Sequence, residues 1–318
     1  MAELRVAIFG CGRMGNERAR CVQEAGATVV FVYDPDAERA AKMALEFGAE
    51  AIATQDDLPW SDVDAVFFCT PPHCREAQAL AAIRAKVPFL AEKPIGISHA
   101  ASDRVLAALT DAPVVNAIGY MNRCRASILQ AKALLEDCRL LGISAHWVCR
   151  QYTVPWWLDE SASGGPMNEQ ATHLFDLCRF LGGEVEEVTS LAALNGSHAV
   201  QPLGSASALR FSSGILGTIF YSCESSVKDI GLHLFTDKGG IELSGWDFQM
   251  TSNMVTNTLP LPSDENVFLT ETRVFLEAVE SGSREKVACD WEEAARTQLL
   301  VDAARRSMSE ERELELQT

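Results

Sequence analysis

The 318-residue sequence has no apolar run long enough to cross a membrane, no Cys-x-x-Cys pair and no excess of positive charge. The first of these excludes a spanning helix, which needs about 20 consecutive apolar residues. The apolar run that follows "MAELR" is only a few residues long, too short for a secretory h-region, so a cytoplasmic protein is expected. The ten cysteines lie scattered from Cys11 to Cys289, a pattern that suits small buried hydrophobes in a reducing compartment; neither a zinc site nor a disulfide framework is expected, and no metal. With 27 basic against 44 acidic residues the formal charge is −17, which repels nucleic-acid phosphates and anionic lipid alike. No nucleic-acid or membrane partner is expected, and a small neutral ligand fits better. Internal repeats and low-complexity linkers are also lacking.

What is present begins with size: 47% of the residues are apolar, enough for two domains with separate cores. "LRVAIFGCGRMGNERARCVQEAGATVVFVYDPD" reads as strand, glycine turn, helix and second strand. Gly10, Gly12 and Gly15 form G-x-G-x-x-G. Gly10 suits the tight turn, Gly12 leaves room for a pyrophosphate against the backbone, and Gly15 allows close packing of helix on strand. The anion would sit on the N–H groups opening the helix, at Arg13 and Met14. Asp34 ends the second strand 19 positions after Gly15, close to the ~20 expected of the acidic residue that binds the adenosine ribose. Asp34 and Asp36 would repel a 2′-phosphate, so NAD is favoured, while Arg39 leaves room for NADP. Read more plainly, Asp34 is a turn residue before Pro35. Two further buried strands end at Thr70-Pro71-Pro72 and at Glu92-Lys93-Pro94, where ligands collect in open parallel sheets.

The stretch "SASGGPMNEQATHLFDLCRFL", residues 161 to 181, predicts a helix opening at Pro166. On it Glu169, His173 and Asp176 are spaced by four and by three, within about 60° of a common line. An acid, a base and an acid then share one stripe. That pattern also fits a core histidine held in one tautomer by Asp176, with Glu169 complementing the helix dipole.

With "GCGRMG", "TPP", "AEKP", "IGYMNR" and this last stretch in order, the sequence resembles the Gfo/Idh/MocA family of NAD(P)-dependent oxidoreductases over nearly its whole length. The resemblance implies an α/β Rossmann domain with a parallel doubly wound sheet, over residues 1–119. It implies a C-terminal α+β domain with an open, mainly antiparallel sheet, over 120–318, whose helix at 290–307 packs back near the first domain. That sheet often mediates oligomers in the family, so a homo-oligomer, dimer or tetramer, is implied. The runs "VEEVTSLAALN", "ASALRFS", "GILGTIFYSCE", "DIGLHLFT" and "GGIELSG" independently read as its strands, with no helix between them.

The resemblance also implies site roles. Gly10, Gly12, Arg13, Met14, Gly15, Asp34, Thr70, Pro71, Glu92 and Lys93 would contact the cofactor. Lys93 would stabilise the reacting oxygen and His173 would exchange the hydroxyl proton, its ordinary pKa of about 6.5 lying near working pH. Glu169 would orient the imidazole or hold a substrate hydroxyl. Asp176 would be a substrate or orienting carboxylate. Trp156 and Trp157, just before the glycines, offer faces on which a sugar ring can stack, or pack in a core. Tyr120 and Arg123 would contact substrate or brace the crossover between domains.

Three departures from the family pattern stand out. Glu169 replaces the usual aspartate, Ala171 the usual glycine, and Arg75 stands where a histidine often follows the T-P motif, with His73 too early to serve. The activity implied is NAD-dependent interconversion of a secondary alcohol and a ketone on a sugar, inositol or related polyol. The same lysine–histidine dyad also serves relatives that use transient oxidation to cleave glycosides, and a few relatives are non-catalytic, dinucleotide-dependent regulators.

Overall fold

The computed structural model describes residues 3–193, 202–254, 266–310 and 314–316. The chain divides into two compact units, the first comprising residues 1–96, 100–121 and 264–294, the second 97–99, 122–263 and 295–318.

The first unit holds a six-stranded sheet of β1 (Arg5–Phe9), β2 (Thr28–Tyr33), β3 (Glu50–Ala51), β4 (Ala65–Phe68), β5 (Phe89–Ala91) and β6 (Asn116–Ile118). Their order is β3-β2-β1-β4-β5-β6 and every pairing is parallel. This is the doubly wound order. Strands β4, β5 and β6 are buried at every position, as expected of strands covered on both faces, and β4 and β5 accordingly read as continuous apolar runs. Helices α1 (Arg13–Glu24), α2 (Ala37–Phe47), α3 (Pro72–Ala85) and α4 (His99–Asp111) connect them. Asp36 caps α2 by accepting the backbone N–H groups of Glu38 and Arg39, and Gly48 ends it with a φ of 72°.

The second unit contains α5 (Ala126–Leu135), β7 (Leu140–Arg150), the short α6 (Glu160–Ser163) and α7 (Thr172–Gly182). Then come β8 (Val185–Ala192), β9 (Gly204–Phe211), β10 (Leu216–Ser222), β11 (Glu224–Thr236), β12 (Gly239–Ser244), β13 (Gln249–Ser252) and β14 (Leu314–Glu315). The sheet runs β13-β12-β11-β7-β10-β9-β8-β14; β7 and β10 are parallel and the other pairs antiparallel. Strands β9 and β10 alternate buried and exposed residues, so one sheet face forms the core and the other is open. Ile143, Ala145, Leu209, Phe211 and Ile219 of the inner face pack with Leu174, Phe175 and Leu181 of α7. Gly182 belongs to that contact: a Cβ there would stand 2.7 Å from both Ile143 and Phe211.

Three features differ from expectation. The helix at 166 does not open as an α-helix; residues Met167–Ala171 form a π-helical turn that passes into α7 at Thr172. The stripe drawn at 3.6 residues per turn therefore does not extend back from His173 to Glu169. Strand β7 is central, although its alternating pattern was not picked out. A helix α8 (Val267–Ser281) belongs to the first unit, where Phe275 and Leu276 join the apolar cluster around β1. Helix α9 (Trp291–Glu310) covers the expected 290–307 segment, and its Trp291 lies in the first unit, its indole N–H 3.3 Å from the carbonyl of Ser102. The last residues of the "VEEVTSLAALN" run lie outside the described residues.

Candidate active site

In the first unit the glycine turn has the shape a dinucleotide requires. Gly10 has a φ of +95°, and a Cβ on it would come within 2.7 Å of the Cys69 backbone. On Gly15 a Cβ would collide with the Gly10 carbonyl oxygen. At Gly12, by contrast, a Cβ would meet nothing within 4 Å, so the backbone borders open space that an anion can enter. Helix α1 begins immediately after it, at Arg13 and Met14, with no side chain capping its N-terminus and no acid in its first turn. Its end is thus left to favour a negative ligand. The Asn16 amide donates to the carbonyls of Cys11 (3.1 Å) and Gly12 (2.8 Å) and braces the turn.

Asp34 stands at the end of β2, 8% exposed, accepting the Cys11 N–H at 2.8 Å and the Asp36 N–H at 2.9 Å. Arg39 donates to it at 2.8 Å and also faces Asp36 at 3.3 Å. Burial alone would raise the Asp34 pKa, but the hydrogen bonds from Arg39, Asp36 and Cys11 overcome that and hold it below the usual carboxylate range. The neighbouring Cys11 thiol is pushed up to about 12 by burial and then by Asp34, so it stays protonated.

The two other motifs sit at the ends of β4 and β5. Thr70 is buried, its hydroxyl donating to Gln78 at 2.7 Å. Arg75, 4% exposed, donates to the Thr70 carbonyl at 2.8 Å and to the Pro94 carbonyl. The arginine that replaces the usual histidine therefore ties the segment containing Pro71 to the segment containing Lys93. Glu92 accepts from Arg18 Nε at 2.7 Å, and Arg18 Nη2 reaches Glu271 at 2.5 Å, all three being buried. The Glu92 side chain, expected among the cofactor contacts, is thus a member of a buried ion triad. Lys93 is half-buried, and Tyr120, after β6, is 1% exposed.

In the second unit His173, 5% exposed, stacks on Trp147 of β7 with centroids 5.6 Å apart and planes at 11°. Glu169 accepts the indole N–H of Trp157 at 2.7 Å. Trp157 is fully buried and meets Tyr152 edge-on, so it supports the Glu169 carboxylate and does not offer a face to a sugar ring. Trp156 is partly buried against the same core. Asp176, expected as a substrate or orienting carboxylate, is 1% exposed and already engaged, accepting from Arg123 at 2.9 and 2.7 Å and from Thr297 at 3.1 Å. The bidentate geometry ties Arg123 to α7, the bracing alternative of the two roles expected for it. Gly164 and Gly165 have φ of 74° and 90°, and a Cβ on Gly164 would meet the Asn168 side chain at 2.5 Å. Asn168 donates to the Ser163 carbonyl at 2.7 Å and accepts from Gln298 at 2.7 Å, fixing the loop in front of the π turn.

The sequence gives no expectation for Trp147, Trp246, Asn122 and Arg125 of the second unit, or for Arg18 of the first. Only Arg125 carried a usable signal, a cation directly before a helix. Among the described residues no group of three His, Cys, Asp or Glu is arranged to hold a metal, and no helix is long and apolar enough to cross a membrane.

Comparison with known proteins agrees with this geometry. The Gfo/Idh/MocA oxidoreductase family with an NAD-binding Rossmann fold matches residues 4–120, and the Gfo/Idh/MocA C-terminal domain matches 129–242. An inositol 2-dehydrogenase of Saccharopolyspora erythraea is 32% identical over 70% of this chain and 68% of its own length. For that of Mycolicibacterium gilvum the match is 31% identical and spans about half the relative's length, 54%, while a myo-inositol 2-dehydrogenase of Thermotoga maritima is 25% identical over 99% of both chains. Levoglucosan dehydrogenase, solved with NADH and levoglucosan, shares the fold with a TM-score of 0.90 at 19% identity, covering 99% of this chain and 100% of its own.

Proposed function

The chain belongs to the Gfo/Idh/MocA oxidoreductase family, and from that premise we propose that it is an NAD-dependent oxidoreductase interconverting a secondary alcohol and a ketone on a sugar, inositol or related polyol. The observation that carries this reading is the glycine turn, open at Gly12 and closed at Gly10 and Gly15, with Asp34 at the end of β2. The names of the relatives above support the substrate class.

The residues present fit NAD. The turn and the uncapped start of α1 would take the pyrophosphate, and Asp34 the adenosine ribose hydroxyls. When bound, the nicotinamide supplies a two-electron hydride acceptor. The chain's own task is to manage the proton and the charge on oxygen. His173, buried against Trp147, accepts the hydroxyl proton in the direction of oxidation and returns it in reduction. The Lys93 ammonium stabilises the developing alkoxide. Glu169, anchored by Trp157, holds the imidazole or a substrate hydroxyl in register. Asp34 and Asp36 favour NAD over NADP, with Arg39 engaged by both carboxylates.

A homo-oligomer goes with this reading, built on the open sheet face. There Leu191, Leu216, Phe220 and Phe235 are 45 to 68% exposed, an unusual apolar load for a surface in water, and a second copy is the occupant proposed. A cytoplasmic setting fits the cysteine use, ten scattered residues that all stand as free thiols.

The test is an absorbance screen at 340 nm with NAD or NADP against sugars, inositols and polyols. NAD reduction by a subset is expected. Release of an aglycone without net NADH would replace this reading with redox-assisted glycoside cleavage, and NAD-dependent capture of a protein partner with no turnover would replace it with regulation.

A further inference from the structure

Helix α5 begins badly. Its N-cap is Arg125, which makes no side-chain capping bond, where Ser, Thr, Asp or Asn is strongly preferred. A guanidinium there also places positive charge against the positive end of the helix dipole. The residue is nevertheless buried, its side chain 9% exposed. A local rule broken without an evident structural gain is a mark of function.

The surroundings of Arg125 offer only part of what a buried cation needs. Its Nε donates to Asn122 Oδ1 at 2.8 Å, and its Nη1 faces Asp247 Oδ1 at 3.3 Å, a carboxylate that is itself 68% exposed. Arg125 Nη2 is buried with no hydrogen-bond partner among the described residues, and so is the side-chain amide nitrogen of Asn122, which is 1% exposed. Desolvation lowers the Arg125 pKa despite Asp247, so the exposed pair does not offset the cost of burial. Two adjacent donors, joined through Nε–Oδ1, thus await an acceptor, and leaving such groups unpaired in a native structure is costly.

Two separate links tie this turn to the catalytic helix. Arg123, between the two residues, is held by Asp176, one turn after His173. The Arg125 guanidinium lies 5.8 Å from the Trp246 ring; Trp246 meets Trp147 edge-on at 6.2 Å, and Trp147 stacks on His173. Lys228 Nζ sits 4.5 Å from the same Trp246 ring and adds positive charge.

We propose that Asn122 and Arg125 form an anion subsite of the active site, and that the substrate is a polyol bearing a carboxylate, a sugar acid. This rests on the oxidoreductase reading above and narrows its substrate class, setting aside the neutral ligand expected from net charge alone. Donors without acceptors select a group that is all acceptor, and a charge-assisted bond to an ionised group is roughly twice as strong as one to a neutral hydroxyl. Two donors match the two oxygens of a carboxylate. A phosphate would bring more charge than this set neutralises beside Asp247.

The experiment measures binding of matched pairs, D-glucuronate with D-glucose and D-galacturonate with D-galactose, to the NADH-loaded protein by calorimetry. A parallel arm uses D-glucose 6-phosphate, and kcat and KM with NAD are measured for each compound. The wild type is expected to bind a sugar acid at least tenfold more tightly than its neutral partner. Arg125→Ser removes the donor and supplies a favoured cap, so it should raise the Tm while erasing that preference; Arg125→Lys should restore part of it. A neutral partner bound as well as the acid, preference for the phosphate, or an Arg125→Ser protein that is less stable yet still selective would each overturn the proposal. If a sugar acid binds in an Arg125-dependent way without turnover, the subsite stands and the oxidoreductase reading fails; turnover of neutral polyols alone gives the converse.

Discussion

Trp157 and Glu169 are joined by a 2.7 Å indole-to-carboxylate hydrogen bond, with both side chains buried. Glutamate is one methylene longer than the aspartate usual at this position, and the π turn at Met167–Ala171 moves it off the α-helical register. Trp157 supplies a fixed partner for the longer, displaced carboxylate. Positioning errors near 1 Å are expensive at a catalytic centre.

Trp157→Phe should therefore lower kcat roughly 5- to 150-fold, the equivalent of the ~1–3 kcal/mol lost when a buried acceptor is left without its donor. Because Trp157 acts through Glu169, KM and NAD affinity should change little. A fall in NAD affinity of the same size would show that Trp157 only holds the fold.

On the proposed reading Asp34 sets the choice of cofactor, and its depressed pKa gives it a part in the acid response. Its pKa is depressed in the folded protein, so its stabilising contribution is fully present above its unfolded value of about 3.9 and is lost as pH falls through the folded value. Urea titrations from pH 6 to pH 3 should show that loss in the wild type and a flatter curve in Asp34→Asn. The same substitution should lower the NAD-to-NADP preference by about tenfold, roughly one charge-assisted hydrogen bond.

Arg18 lies between Glu92 and Glu271, with further donation toward Thr272 at 3.3 Å. Arg18→Met would strand two buried carboxylates and should cost about 3–5 kcal/mol by denaturant unfolding. Removing all three charges together with apolar residues of similar volume should cost much less.

Asp176→Asn separates a structural from a substrate role. The structure gives Asp176 to Arg123 and Thr297, so the variant should lose about 3 kcal/mol of stability while KM for substrate stays within a few-fold. A large rise in KM with unchanged stability would return Asp176 to the substrate.

Much of this architecture was legible because its signals are local. Gly10, Gly12, Gly15 and Asp34 carry their own spacing, and the buried strands of the first sheet are short apolar runs between turns. Elements missed were those defined by distant partners. Helix α8 belongs to the first unit though more than 140 residues of the second precede it, and the π turn adds one residue per turn with no sequence mark. The sequence leaves Asp176 and Trp157 open between ligand-facing and structural roles because residue type cannot show that Arg123 or Glu169 already claims them. Arg125 was passed over, although a cation at a helix start was itself the signal.

The most direct test of the whole account is to compare wild type, Lys93→Met and His173→Ala for NAD binding and for NADH formation at 340 nm on the same substrate. The account predicts that both variants bind NAD as the wild type does and lose at least 100-fold in kcat. Near-normal turnover in both variants would contradict it.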